Sequence, residues 1–341
     1  MSSLKGLAFA IAGMPAMRRL LPPRTAALTT VLYHGFFFAG EPRQRARDRL
    51  RRQLEWLSRS YRPLTLEQCQ QALATGTVPP DALLVTADDA KVDLLEVHEE
   101  FAAFGVPLCV FVCAGWTAQA SELSADDLLA RTVAALEWQA GPDAVVSLGP
   151  EARPLSLGPA SRSATIDALL AAPGYFVPHL EELLARLAQA GPTAGPRTIC
   201  SWPELVSLKE KGVRFGSHSV SHIRLAAASQ SRLRFEVAEA KRLIERKLAP
   251  CTAFAYPFGT EGTWNARTTT VVRASGASIA FLTHPGFATT GSELLHLPRF
   301  ALPERAMPDA EYRGRVAGAG VALGALKARL ALRRRGDLAA R

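Results

Sequence analysis

The chain has 341 residues, 48% of them hydrophobic, and 40 Lys+Arg against 31 Asp+Glu give it a net charge of +9. That length and apolar content suffice for a full buried core of the kind α/β barrels build as one domain, and no apolar run reaches the ~18 residues that a membrane-spanning helix needs. The charge excess suits phosphate, anionic lipid or acidic glycan; no nucleic-acid partner is expected, and the oligomeric state is left open.

Residues 1–27 read as an N-terminal extension. Lys5 precedes an apolar stretch from Gly6 to Met17, long enough for a signal-peptide core, but no small-x-small cleavage site precedes Arg18-Arg19. The expectation is therefore a chain in the cytoplasm or peripheral to the inner membrane rather than secreted. Leu28 to Tyr33 reads as a strand ending in His34-Gly35. Glu41 to Tyr61 carries seven arginines, from Arg43 to Arg59, around Leu50, Leu54 and Leu57 at helical spacing. It reads as an amphipathic helix with a solvated basic face. Thr65 and Gln68 form a capping box for a helix that stops at Gly76.

Ala82 to Thr86 is apolar enough for a buried parallel strand, and Asp88-Asp89 follow it. Leu94 to Phe104 reads as a helix closed by Gly105, and Val106 to Val112 as the next buried strand. The alternation then breaks. Ser121 to Trp138 looks helical, 140–159 is rich in Gly and Pro, 165–170 and 179–190 look helical again, and 191–196 reads as a linker. Residues 120–198 are accordingly an insertion over the barrel mouth or side that shapes substrate access. His179 within it reads as a surface residue.

Ser201 and Glu204 form a second capping box, opening a helix that stops at Gly212. Gly212 to Gly216 is a short strand leading into His218-Ser219-Val220-Ser221-His222. Ser229 to Leu248 is a long amphipathic helix, feeding the strand Thr252 to Tyr256, which ends in Pro257-Phe258-Gly259. The tail 311–341 places Val316, Leu323, Leu326 and Leu330 on one helical face, with Lys327, Arg329, Arg333, Arg334 and Arg335 near its end. It reads as a helix docked on the barrel with a charged exit, or as a peripheral membrane contact. The cysteines Cys69, Cys109, Cys113, Cys200 and Cys251 are odd in number and lack a Cys-x-x-Cys, which argues against a disulfide framework.

Strand–helix alternation predicts a parallel sheet closed or nearly closed into a barrel, 28–310. His34, the Asp pair, the two His and Pro-Phe-Gly all follow strands. In such barrels the loops at those ends converge on one mouth. An Asp with two His four positions apart is a three-ligand set for one divalent ion, and two imidazoles and a carboxylate suit Zn2+. The adjacent Asp is left to act as base. Here Asp89, His218 and His222 are the ligands and Asp88 the base.

Leu83-Leu84-Val85-Thr86-Ala87-Asp88-Asp89-Ala90 resembles the Thr-Phe-Asp-Asp-Gly motif of the polysaccharide deacetylases (NodB-homology, carbohydrate esterase 4). Phe215 to His222 is similar to that family's His-x-x-x-His motif, and Phe254 to Gly259 to its third motif in the Tyr-Pro-x-Gly form. The resemblance implies an irregular (β/α)7-type barrel acting on an acetylated glycan. It implies a substrate and oxyanion role for the Tyr256–Phe258 stretch, with the Phe258 backbone N–H as donor. Relatives of this form carry a His after the first strand, so His34 is favoured as general acid over His284 and His296. The Arg that orients the base is replaced by Ala255, and Arg299 is expected to substitute. Ala87 and Ala90 stand where the family has an aromatic and a glycine. These departures keep open a catalytically silent barrel that binds glycan or tethers an assembly to a membrane. A cyclic-amide amidase is a third reading on the same barrel.

Overall fold

The computed structural model describes residues 26–117, 125–139, 145–146, 155–156, 159–171, 180, 183–184, 198–248 and 250–322. The readings placed on 1–25, His179, the linker 191–196 and the basic residues beyond 322 lie outside the described residues.

The sheet is built from β1 (Ala27–Tyr33), β2 (Arg62–Pro63), β3 (Ala82–Asp88), β4 (Leu108–Val112), β7 (Arg214–Ser217), β8 (Ala253–Ala255), β9 (Ile279–Phe281), β10 (Ala288–Thr289) and β11 (Phe300–Ala301), with β5 (Val145–Val146) and β6 (Leu155–Ser156) forming a separate hairpin. β1, β3, β4, β7, β8 and β9 run parallel in that spatial order, and β11 pairs in parallel with β1. A bridge between Phe281 and Leu297 joins β9 to the segment leading into β11, so the sheet curls round on itself as an irregular barrel. β10 is the exception, antiparallel to β1.

The helices lie outside. They are α1 (Arg43–Ser60), α2 (Leu66–Thr75), α3 (Leu94–Ala103), α4 (Ala114–Thr117), α5 (Ala125–Gln139), α6 (Pro159–Ala171), α7 (Trp202–Glu210), α8 (Gln230–Lys247), α9 (Ala266–Ala274) and α10 (Asp309–Val316). Both capping boxes form. In the first, the Thr65 N–H donates to Gln68 Oε1 at 2.9 Å while the Gln68 N–H donates to Thr65 Oγ1 at 3.2 Å. Gly76 ends α2 at φ 71, in the left-handed region that glycine enters without a Cβ clash. The strand expected from Val106 starts at Leu108, because the Val106 N–H turns back to the Phe101 carbonyl to finish α3.

Two layers of core follow from strand alternation. Leu83, Val85 and Ala87 point outward to a cluster with Leu50, Leu54, Leu57, Val97 and Phe101 of the surrounding helices. Leu84, Phe111, Ala253, Ala255, Phe281 and Leu297 point inward and fill the barrel floor. Gly216 permits this filling: a Cβ there would meet the Phe111 ring at 2.4 Å.

The basic face of α1 is not simply solvated. Arg43 and Arg47 pair with Glu96, and Arg47 and Arg51 with Glu100, because α3 offers acids opposite them, while Arg49 is buried on Glu41 from the loop before α1. The tail differs too. The helix carrying Arg313 ends at Val316, and the chain passes through Gly318 at φ 76 before helical residues resume at 319–322.

Candidate active site

Period-two alternation puts chemistry directly above the apolar floor. In β3, Leu84, Thr86 and Asp88 share the inner face, so Asp88 ends the strand pointing into the barrel. Arg299, two residues after Leu297, does the same from the closing segment. The two meet as a fork on a carboxylate, Nη1 to Oδ1 and Nη2 to Oδ2 both at 2.8 Å, and Arg299 Nε also donates to the Leu282 carbonyl at 3.0 Å. The guanidinium is fully buried, with the Phe111 and Phe281 rings 5.5 and 5.9 Å away. Burial alone would raise the Asp88 carboxyl; the charge of Arg299, together with its hydrogen bonds, holds it instead at about 2. Asp88 is therefore ionised across the physiological range.

His218 extends the β7 ladder by one residue, its N–H donating to the Val112 carbonyl at 2.9 Å. Its Nδ1 lies 2.8 Å from the Ala255 carbonyl, which can only accept, so Nδ1 carries the proton and Nε2 presents a lone pair. That lone pair lies 3.6 Å from Asp88 Oδ2 and 3.9 Å from Asp89 Oδ1, and His222 Nε2 is likewise 3.9 Å from Asp89 Oδ1. Asp89 Oδ1 is thus the point both imidazoles face. Burial pushes His218 down to about 3 and lowers His222, so both rings are neutral. Burial and then the neighbouring Asp88 charge raise Asp89, since Arg299 compensates Asp88 instead. Two neutral imidazoles and an uncompensated carboxylate converging on one point are a donor set that a divalent cation fits.

The turns that aim these groups are left-handed: Asp89 has φ 72, Ala90 φ 56, Ser219 φ 68 and His222 φ 56. The His turn is held from below by a residue that the sequence reading passed over. Glu236, fully buried in α8, accepts the Val220 and Ser221 N–H groups on Oε2, both at 2.9 Å, and Arg232 braces its Oε1 at 2.8 Å. The available signal was a charge pair at i, i+4 on the buried face of an amphipathic helix. Cys113, at the end of β4, was also missed. Its Sγ lies 3.9 Å from Asp89 Oδ1 and 3.4 Å from the His218 carbonyl, and the donor atoms of Asp89, Cys113 and His218 lie within 4.8 Å of one another. Burial and the Asp89 and Asp88 charges keep its thiol well above the usual range.

The third motif is partly as expected. Phe258 has φ 62, and its N–H meets no acceptor among the described residues; its ring, 40% exposed, packs 4.6 Å from His222, with Trp116 at 5.4 Å from that same imidazole. Gly259 is required here, since a Cβ would approach the Thr283 N at 2.7 Å. Tyr256 is a correction. Ala255 takes the inward position, so the Tyr256 ring turns outward and is buried against Phe254, Trp264 and His296 rather than lining the mouth.

Of the three histidines weighed as acid, His34 is the one whose charge bears on both Asp88 and Asp89. His296 stacks on Trp264 at 4.3 Å and pairs with Thr269 Oγ1 at 2.9 Å, while His284 is exposed. The insertion flanks the same mouth. Arg131 of α5 donates to the Trp116 carbonyl at 3.0 Å, and Leu128, Val133, Leu136, Ile166 and Leu169 form a cluster of their own that touches Phe235 of α8.

The family model for polysaccharide deacetylase matches residues 177–280, which include the His motif and Pro-Phe-Gly. The resemblance to polysaccharide deacetylases holds. The fold is shared with the deacetylase PplD of Streptococcus pyogenes in complex with acetate, at 16% identity and TM-score 0.55 over 85% of this chain and 99% of that one. It is shared with IcaB from Ammonifex degensii, at 16% and 0.53 over 86% and 98%, and with the BpsB deacetylase domain from Bordetella bronchiseptica, at 17% and 0.50 over 82% and 97%. No curated protein matches by sequence. The polysaccharide deacetylase match supports a hydrolytic deacetylase, with the Asp pair, outside the matched segment, brought to the His motif by the barrel.

Proposed function

We propose that the chain is a metal-dependent hydrolase removing N- or O-linked acetyl groups from a bacterial glycan, in exopolysaccharide or cell-envelope biosynthesis. The observation that carries this reading is the meeting of Asp89, His218 and His222 on one point beside a carboxylate already committed to Arg299. Asp89, His218 and His222 would hold the divalent ion, Zn2+ being the best suited, and it would supply Lewis acidity toward water and the acyl carbonyl.

The protein's own groups do the rest. Asp88, ionised and clamped, accepts a proton from the attacking water on Oδ2, the oxygen that lies 3.6 Å from His218 Nε2. A carboxylate held this low is a weak base, so its contribution rests on position. The water oxygen bonds to the acyl carbon, and the Phe258 N–H donates to the carbonyl oxygen as it gains charge. When the bond from the acyl carbon to the sugar nitrogen or oxygen breaks, His34 protonates the leaving atom, releasing acetate and the free amine or alcohol.

The test is acetate release from a panel of acetylated oligosaccharides, with metal content measured on the same samples. His218→Ala and His222→Ala are expected to lose both metal and hydrolysis. Asp88→Asn is expected to keep the metal and lose activity by about 10²-fold or more. Undiminished acetate release by both His variants would refute the site, and loss of metal in Asp88→Asn would make Asp88 a ligand.

A further inference from the structure

Beside the catalytic mouth lies a second cavity, about 660 Å3 in volume, that none of the motifs accounts for. It is framed by the loop after β1, the first turns of α1 and the segment joining β11 to α10, and so opens on the same face of the barrel as the Asp and His clusters. A narrower space lined by His34 and Gly35 shares Phe38, Arg49, Glu304, Arg305 and Met307 with it. Lys91, two residues beyond Asp89, pairs with Glu304 at 3.1 Å, so the wall of this cavity adjoins the turn that carries the Asp pair.

Its charges do not cancel. Arg45, Arg49, Arg52 and Arg305 line it, against Glu41, Glu304 and Asp309. Each of these acids is already engaged: Glu41 by Arg49 at 2.9 Å, Asp309 by Arg52 at 2.9 Å and Glu304 by Lys91 from the mouth side. Arg305 leans on Glu311, outside the lining. Arg45, exposed, has no ion-pair partner among the described residues. Phe38, Met307 and Pro308 add an apolar wall of the sort that takes the face of a sugar ring.

We propose that this cavity seats an anionic group, a carboxylate or phosphate, carried by the glycan on a unit next to the one being deacetylated, with Arg45 as its specificity-determining contact. The proposal rests on the deacetylase reading and narrows it to acidic saccharides. A guanidinium matches either oxyanion by paired N–H donors. The two sources of such a group are a uronic-acid unit within the polymer and a phosphate attached to the saccharide.

The test compares hydrolysis of three acetylated oligosaccharides of one length: neutral, bearing a uronate and bearing a phosphate. Wild type is expected to favour one anionic substrate by about tenfold in kcat/KM at low salt, the favoured arm identifying the source, and the preference should fade as salt rises. Arg45→Ala is expected to abolish the preference while leaving the neutral substrate unchanged, and Arg45→Glu to reverse it. Equal treatment of the three substrates by wild type would overturn the proposal, as would an equal loss on all three in Arg45→Ala. A parallel titration of the protein with glucuronate and with inorganic phosphate, followed by NMR, separates this from the function itself. If no arm releases acetate, the deacetylase reading fails; saturable binding lost in Arg45→Ala still upholds the anion site, and no saturation removes it.

Discussion

Arg299 shows how one buried side chain can fix the state of another. It is fully buried, and its fork on Asp88 offsets the cost of keeping a carboxylate out of water. Removing one partner of such a pair strands the other's charge, at a cost of about 3–5 kcal/mol. Arg299→Met is therefore expected to lower stability by that amount in denaturant titration at neutral pH. The sign follows from linkage. Asp88 is held at about 2 when folded, below its unfolded value of 3.8, so its pairing stabilises above the unfolded value and that stability is lost as pH falls toward 2. The difference between wild type and Arg299→Met should shrink over the same range, and a difference independent of pH would assign Arg299 a packing role alone. The sequence placed Arg299 at a strand end but did not show that it and Asp88 share the inner face. That required the register of the closing segment, where two residues separate Arg299 from inward-facing Leu297.

At the scale of elements, α8 is a bracket for the His turn. Its apolar stripe was legible in the sequence as one long amphipathic helix, and so were the two capping boxes, because caps and periodicity are local. Glu236 was not, since its partners are backbone N–H groups fifteen and sixteen positions away, and spacing alone does not reveal them. The same limit explains Tyr256: a three-residue strand is too short for its inward set to be read, and Ala255 took the inner position. Glu236→Gln retains a carbonyl acceptor for one N–H, whereas Glu236→Ala removes the carboxylate that both the Val220 and Ser221 N–H groups donate to. Metal affinity is expected to drop by about 10–100-fold in Glu236→Ala, as when a supporting partner of a ligand is removed, and by less in Glu236→Gln. Isothermal titration with Zn2+ measures this. Equal affinity in both variants and wild type would show that the turn holds its shape without the carboxylate.

Across the whole molecule, fold and site are separable. The barrel closes on two apolar layers, one between sheet and helices and one inside the floor, while Asp89, His218 and His222 stand on the turns beyond the strand ends. This is also why the barrel was legible before any coordinates: the buried strands Leu28–Tyr33, Ala82–Thr86 and Val106–Val112 announce themselves by composition, whereas β10, β11 and the Phe281–Leu297 bridge are two-residue or single contacts that leave no periodic trace. A protein built this way should fold without its ion and gain stability from it by mass action only. At free Zn2+ a hundredfold above the dissociation constant that gain is about 2.7 kcal/mol, or roughly 4–5 °C in Tm for a domain of this size. Differential scanning calorimetry should show one cooperative transition after chelation, shifted up by that interval when Zn2+ is restored. His222→Ala, at a half-buried position, should unfold near the chelated temperature with or without the ion, and His218→Ala, which also takes the donor from the buried Ala255 carbonyl, should unfold below it and likewise gain nothing from Zn2+. Loss of the cooperative transition on chelation would mean that the ion holds the barrel together, and an equal upward shift in the His variants would place the ion elsewhere.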